Sequence, residues 1–300
     1  MKVLIYPDVD LWNFVISDYD RLCNAGFYPL RNYSNAFQAL LRKRFRNCHF
    51  PPEFLLGKRM RKVLKQLSDN DCVIVADYMD VSLLYAISQC LEPGVRKYLW
   101  LWNPVWENDY FRRNNRLIKE LGFNINTFNP TDAKEFGLVL HNQFYPIHRI
   151  YNTQHNTGQP VDYDFFFIGY PKGRESEIEE IQGHISDYRV YIKIVYRQED
   201  YVSYDEYVKR INSTRCLIDI SQANQEGITL RALESIAFRK KLLTTNKSIM
   251  KMDLYHPNNV FIVGYDDWLS VETFLSSPYY ELPPEIVAQY DTEKWLNNFL

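Results

Sequence analysis

Residues 216–246 read CLIDISQANQEGITLRALESIAFRKKLLTTN, and the order of apolar and polar runs in this stretch decides the fold. Cys216 to Ile220 is a short apolar run broken only by Asp219, the pattern of a buried strand. Ser221 to Gly227 is a polar loop. From Thr229 onward Leu230, Leu233, Ile236 and Ala237 recur at i, i+3, i+6 and i+7, which predicts an amphipathic helix. Leu242-Leu243-Thr244-Thr245 then returns to strand. In an open parallel sheet, ligands bind outside the carboxyl ends of strands, where loops lead into helix N-termini. Unpaired N–H groups and the positive end of the helix dipole make phosphate a natural guest there. The chain places Glu226 at that point, and Glu234 follows with seven residues between them.

The segment resembles the E-x7-E element of retaining GT-B glycosyltransferases, written here Glu226-Gly-Ile-Thr-Leu-Arg-Ala-Leu-Glu234. Upstream, Val202-Ser203-Tyr204-Asp205-Glu206-Tyr207 is similar to the segment whose start contacts the nucleobase. Downstream, Lys241 to Asn246 resembles the strand after the second Glu. The chain departs from the family at Arg239 and Lys241, where Gly and Pro are usual. Asp164-Phe-Phe-Phe-Ile-Gly169 and the loop Tyr170-Pro-Lys-Gly-Arg174 resemble the first strand and loop of the donor domain.

The resemblance implies roles. Glu226 would lie by the donor sugar, and Glu234 would hold the ribose through two charge-assisted hydrogen bonds. Val202 and Ser203 would lie near the base. Lys172, Arg174 and the backbone N–H groups of Gly227, Ile228 and Thr229 would face the diphosphate, with Gly169 ending the strand before them. A departing nucleotide diphosphate gains negative charge, which cations and a helix N-terminus stabilise, so neither metal nor other cofactor is expected. Retention at the anomeric carbon is implied by the resemblance alone. The residues also carry plainer readings. Two glutamates at this spacing arise by chance, acids opening a helix are ordinary dipole chemistry, and Tyr170 to Arg174 reads equally as a solvated turn.

Three hundred residues suffice for one large or two ordinary domains, and 46% hydrophobic content with 23 Tyr and 18 Phe can fill substantial cores. A net charge of -2 argues against a general nucleic-acid binder. Cys23, Cys48, Cys72, Cys90 and Cys216 are odd in number and form no C-x-x-C, which points to thiols in a reducing cytosol. Met1 to Tyr6 reads as a first strand rather than a signal peptide, and no apolar run approaches the ~20 residues that span a bilayer. The expected location is cytoplasmic, with peripheral contact at the inner face of the membrane.

That contact is read from residues 34–66. Arg42, Lys43, Arg44, Arg46, Lys58, Arg59, Arg61, Lys62 and Lys65 stand against the single acid Glu53, with Leu40, Leu41, Phe45, Phe50, Leu55, Leu56, Met60, Val63 and Leu64 interleaved. So lopsided a stretch is either a solvated helix face or a patch for anionic lipid headgroups or a pyrophosphate-lipid acceptor. No nucleic-acid-binding motif accompanies it.

Elsewhere, apolar runs at Lys2–Tyr6, Asp71–Asp77, Lys97–Asn103, Asn124–Phe128 and Gly137–His141 alternate with helical stretches, predicting a parallel sheet covered on both faces. Asp77, Asp80, Asn103 and Glu107 fall at strand ends, where each reads either as an acceptor ligand or base, unranked, or as an ordinary cap or loop residue. Residues 146–162 lose periodicity and read as a linker. Further helices are expected over Asp267–Leu275 and Thr292–Leu300. Asp8-Val-Asp10 mimics a metal-binding D-x-D, but Asp18–Asp20 and Asp162–Asp164 repeat the spacing in an Asp-rich chain. The histidines, His155 among them, form no ligand cluster. The absence of G-x-S-x-G and of G-x-G-x-x-G after the first strand argues against a hydrolase and a dinucleotide oxidoreductase.

The expectation is therefore α/β, with two Rossmann-like domains facing across a cleft, most closely matched over 164–264. An acceptor-side domain spans 1–150 and a nucleotide-sugar donor domain 163–290, with a helix at 291–300 crossing back to the first. The expected activity moves a sugar from a nucleotide-sugar donor to a glycan or lipid-linked acceptor in capsule, lipopolysaccharide or exopolysaccharide assembly. A non-catalytic nucleotide-sugar-binding protein, an epimerase on the same fold, and a membrane- or RNA-docking module remain as alternatives.

Overall fold

A computed structural model describes residues 1–19, 24–30, 35–46, 48–77, 79–106, 108–151, 160–222 and 224–299. Asp20, Cys23, Glu107 and His155 lie outside the described residues, as does 152–159 of the expected linker. The chain divides into two compact units, Met1–His141 with Trp295–Leu300, and Asn142–Lys294. Both are Rossmann-like: parallel sheets alternating with helices.

The first unit holds strands β1 (Lys2–Tyr6), β2 (Ala25–Pro29), β3 (Cys72–Ala76), β4 (Arg96–Leu101), β5 (Phe123–Thr127) and β6 (Val139–Leu140). Their order is β2-β1-β3-β4-β5-β6, and every pairing is parallel. The central strands β1 and β3 are buried along their whole length, which is why they appear in the sequence as unbroken apolar runs. Val3, Ile5, Val73, Val75 and Leu99 pack with Leu83, Leu84 and Ile87 of the helix Val81–Cys90 and with Phe111 and Ile118 of the helix Asp109–Glu120. The edge strand β2 has no such signature, because Gly26 and Pro29 interrupt it and most of it is only half-buried. From the chain end, Trp295 meets Trp100 edge-on at 5.4 Å, and Phe299 meets Tyr98 at 5.2 Å.

The second unit holds β7 (Tyr163–Gly169), β8 (Val190–Ile194), β9 (Thr214–Asp219), β10 (Lys241–Thr244) and β11 (Val260–Ile262). The order is β11-β10-β9-β7-β8, again wholly parallel. Four elements differ from the sequence reading, the last helix among them, which spans Thr292–Leu296 and stops short of the expected Leu300. Residues 147–151 form a short helix rather than linker, because Ile147 and Ile150, three apart, both bury. The stretch from Asp267 splits into a 3-10 turn, Trp268–Ser270, and the helix Val271–Ser276. The helix Leu230–Ala237 is not amphipathic in its burial: Ala232 through Ala237 are all buried, Glu234 and Ser235 included. Among the described residues, no helix is long and apolar enough to cross a membrane.

An ion cluster lies near the start of β7. Asp164 accepts from the Nη2 and Nε of Arg189 at 3.0 and 3.1 Å, and from Arg215 at 3.2 Å. The hydrogen bonds from Arg189 hold its carboxyl down at about 2. A depressed carboxyl adds stability that is complete above the unfolded value of roughly 4 and is lost as pH falls towards the folded one. Asp164→Asn should therefore lower the denaturant midpoint at pH 7, and the gap to the native chain should narrow between pH 4 and 2. An equal gap at pH 7 and pH 2.5 would contradict this linkage.

Candidate functional site

In the second unit β10, β9 and β7 are neighbours, so the loops leaving their carboxyl ends emerge side by side. Two arginines fasten these ends. Arg231 donates to the carbonyl of Ile168 at 2.6 Å and to that of Ile218 at 3.2 Å, joining the last turns of β7 and β9. Arg174 donates to the carbonyls of Tyr170 (2.8 Å), Pro171 (3.2 Å) and Ile220, joining the loops that follow the same strands. Burial, with Arg231 nearby, lowers the Arg174 pKa. The loop after β9 is tied to β10 as well: Ser221 N–H donates to Thr245 Oγ1 at 3.0 Å, and Asn246 Nδ2 donates to the Gly227 carbonyl at 3.3 Å. Thr229 caps the helix Leu230–Ala237, its hydroxyl accepting from Ala232 N–H at 3.1 Å. A polar, hydrogen-bonded floor therefore underlies the loop that carries Glu226 and Gly227.

Beneath that floor is a buried network. Glu234 is 2% exposed. Its Oε1 accepts from the Tyr204 hydroxyl and its Oε2 from the Tyr207 hydroxyl, both at 2.6 Å. Tyr204 spends its proton on Glu234, so the Tyr145 hydroxyl, 2.6 Å away, donates to Tyr204. Arg231 Nε reaches the Tyr207 oxygen at 3.4 Å. Burial raises the Glu234 pKa, against which Arg231 and the two tyrosines act. Burial alone would discharge Arg231, yet Tyr207 and Glu234 outweigh it and the guanidinium pKa rises. Asp219 is also buried, its pKa raised by that burial, and it accepts from Thr244 Oγ1 at 2.9 Å.

The expected site residues divide between these levels. Glu226 is exposed and Glu234 is in the core, so the pair reads as one surface group and one interior group. Gly227 and Ile228 are buried and Thr229 is half-buried. Lys172 is exposed and takes a left-handed backbone (φ 50), followed by Gly173 (φ 73), in the loop after Gly169. Ser203 caps the helix Tyr204–Asn212, accepting from Glu206 N–H at 3.3 Å, and Val202 precedes it half-buried. Glu234 and the 202–207 segment are thus brought together, through tyrosines rather than through Val202 or Ser203. Sequence reasoning left Tyr145, Tyr204, Tyr207, Arg231, Asp219 and Asn246 without roles. The available signal was spacing: Tyr204 and Tyr207 share a helix face at i and i+3, as do Arg231 and Glu234.

At Arg239 the chain departs from the glycosyltransferase element it resembles, and the backbone there is distinctive. It adopts φ 50 just beyond the helix Leu230–Ala237, where Arg239 N–H donates to Ile236 O and Lys240 N–H to Ser235 O. This is a Schellman ending, a place that glycine fills without strain. The guanidinium is held over the Tyr151 ring at 3.6 Å and against Glu281 at 3.0 Å.

In the first unit the strand-end acids are no longer equivalent. Asp77 follows β3 in a left-handed conformation (φ 55) that costs a non-glycine residue energy, and Asn103 Nδ2 donates to its carboxylate at 3.4 Å. Asp80 is instead paired with Arg46 at 3.4 Å.

No protein-family model and no curated protein matches the chain. Among solved structures, it is similar to an α-glucosyltransferase in complex with UDP and a 13-mer DNA containing a central A:G mismatch. The TM-score is 0.57 at 11% identity, over 99% of this chain and 98% of that one. A second α-glucosyltransferase structure, with UDP and a 13-mer DNA containing an HMU base, gives 0.56 at 11%, over 99% and 97%. This likeness establishes the fold, two Rossmann-like domains, each a parallel sheet alternating with helices.

The two glutamates should separate in a melting experiment. Glu234→Ala takes the acceptor from two buried tyrosine hydroxyls and a counter-charge from Arg231, which should destabilise the chain by about 1–3 kcal/mol. Glu226→Gln, at an exposed position, should leave the midpoint unchanged. Equal midpoints for Glu234→Ala and the native chain would contradict the network.

Proposed function

We propose that the protein is a glycosyltransferase that moves a sugar from a nucleotide-sugar donor, with a uridine diphosphate carrier, to a glycan or lipid-linked acceptor in surface-polysaccharide assembly. The observation that carries this reading is the pair of loops at the carboxyl ends of β7 and β9. They combine a cation in an open turn, a capped helix start and an exposed carboxylate over a rigid floor. The fold shared with two UDP-bound α-glucosyltransferases along nearly the whole chain supports it.

In this reading Lys172 and the backbone N–H groups after Gly227 meet the diphosphate as the sugar C1–O bond breaks and charge builds on the leaving oxygen. Arg174, whose donors hold three carbonyls, fixes the shape of the loop and adds positive field. Glu226 lies beside the sugar, and transfer proceeds with retention and without a metal. Glu234 acts by positioning the helix Leu230–Ala237. A ribose diol would reach it only by displacing Tyr204 or Tyr207. Val202 and Ser203 lie on the side of the base. In the first unit Asp77 is the acceptor-side group that its strained backbone singles out.

A second reading has two observations behind it. Both fold neighbours were solved with DNA, and residues 42–65 of this chain are strongly basic, so DNA is the competing acceptor.

The test is a turnover assay with UDP-hexoses, using in turn lipid-linked glycans and duplex DNA as acceptors, with and without chelator. Expected is UDP release that requires the lipid-linked acceptor, survives chelation and falls about 100-fold or more in Glu226→Gln. Isomerised donor formed without acceptor would make the chain an epimerase. UDP binding with no turnover would make it a binding protein.

A further inference from the structure

The helix Ala36–Arg44 in the first unit is packed inside out. Its inward face sets two buried polar side chains beside the half-buried Leu41, which packs on the core: Gln38 Nε2 donates to the Glu53 carbonyl at 3.4 Å and Arg42 Nη1 to the Leu55 carbonyl at 2.6 Å. These bonds fasten it to the next helix, Pro52–Leu55. Its outward positions carry Phe37 and Leu40, which are 60% and 61% exposed. Lys43 and Arg44 follow Leu40 at i+3 and i+4 and are exposed too. The apolar exposure continues at Phe45 and Phe54, and the cations at Lys58, Arg59 and Lys62. Glu53, the single acid between residues 34 and 66, is paired with Arg61.

A helix that only needed to fold would turn Phe37 and Leu40 inward and leave Gln38 and Arg42 in water. The reverse arrangement sets large apolar groups among cations at the surface. That combination fits an anionic lipid interface, where the rings and aliphatic chains enter the acyl boundary and the cations meet headgroup phosphates. A nucleic acid would use the cations but leave Phe37 and Leu40 in water. A second copy of the same face would set like charges against each other.

We propose that this face docks the protein on an anionic phospholipid bilayer, with Phe37 and Leu40 inserted and Lys43 and Arg44 on the headgroups. The inference does not depend on the donor site, and its test contains no nucleotide.

The full chain is sedimented with vesicles of phosphatidylcholine alone and of phosphatidylcholine with about 30% phosphatidylglycerol, at low and physiological salt. Binding is expected only to the anionic vesicles, and it should weaken as salt rises. Phe37→Ser with Leu40→Ser should weaken it about tenfold or more. Lys43→Glu with Arg44→Glu should abolish it. These positions are exposed, so the melting midpoint should stay native, which separates lost docking from lost folding. Absence of anionic-vesicle binding would overturn the proposal, as would binding untouched by the apolar double variant. Duplex DNA that displaces the vesicles, and binds the apolar variant as tightly as the native chain, would assign the face to nucleic acid instead.

Discussion

A carboxylate buried in the second unit sets the terms for everything around it. Removing a charged group from water is very costly unless hydrogen bonds and counter-charge replace the lost solvent. Glu234 meets that condition with two short bonds from Tyr204 and Tyr207, and with Arg231 one turn earlier on its own helix. The helix Tyr204–Asn212 is thereby joined to the helix Leu230–Ala237, and Tyr145 is drawn into the same cluster. Partly satisfied buried networks are costly, so each member constrains the next.

The consequence reaches the surface through Arg231. Its guanidinium faces Tyr207 with one nitrogen and the carbonyl ends of β7 and β9 with the other two. The interior network is therefore continuous with the strand ends from which the loops after β7 and β9 depart. Above it, Arg174 and the Ser221, Thr245 and Asn246 bonds hold those loops in one arrangement. Rigid support beneath exposed groups is what preorganised electrostatic stabilisation requires, because groups that need not move at the moment of reaction cost no reorganisation.

Much of the fold was legible because its central strands are buried on both sides and appear as apolar runs, as in Cys72–Ala76 and Phe165–Ile168. The helix Val81–Cys90 lies between the runs Asp71–Asp77 and Lys97–Asn103, where the alternation called for a helical stretch. What escaped was whatever depends on distant residues. β2 carries Gly26 and Pro29 and gives no strand pattern. The tyrosines that bind Glu234 lie 27 and 30 residues before it, and no local spacing joins them to it. The E-x7-E spacing spans one loop and the helix after it, yet it could not tell that one glutamate faces water and the other the core. Charge counting found the basic stretch at 42–65. Only burial revealed that its first helix hides Gln38 and Arg42 and displays Phe37 and Leu40.

The central claim is that a nucleotide diphosphate sits over the loops at the carboxyl ends of β7 and β9. Amide hydrogen exchange with and without saturating UDP tests that location directly. The expected result is slowed exchange in residues 170–174 and 221–231, with the interior strands unchanged. Saturable UDP binding that leaves both loops unprotected, or protects only the first unit, would contradict it.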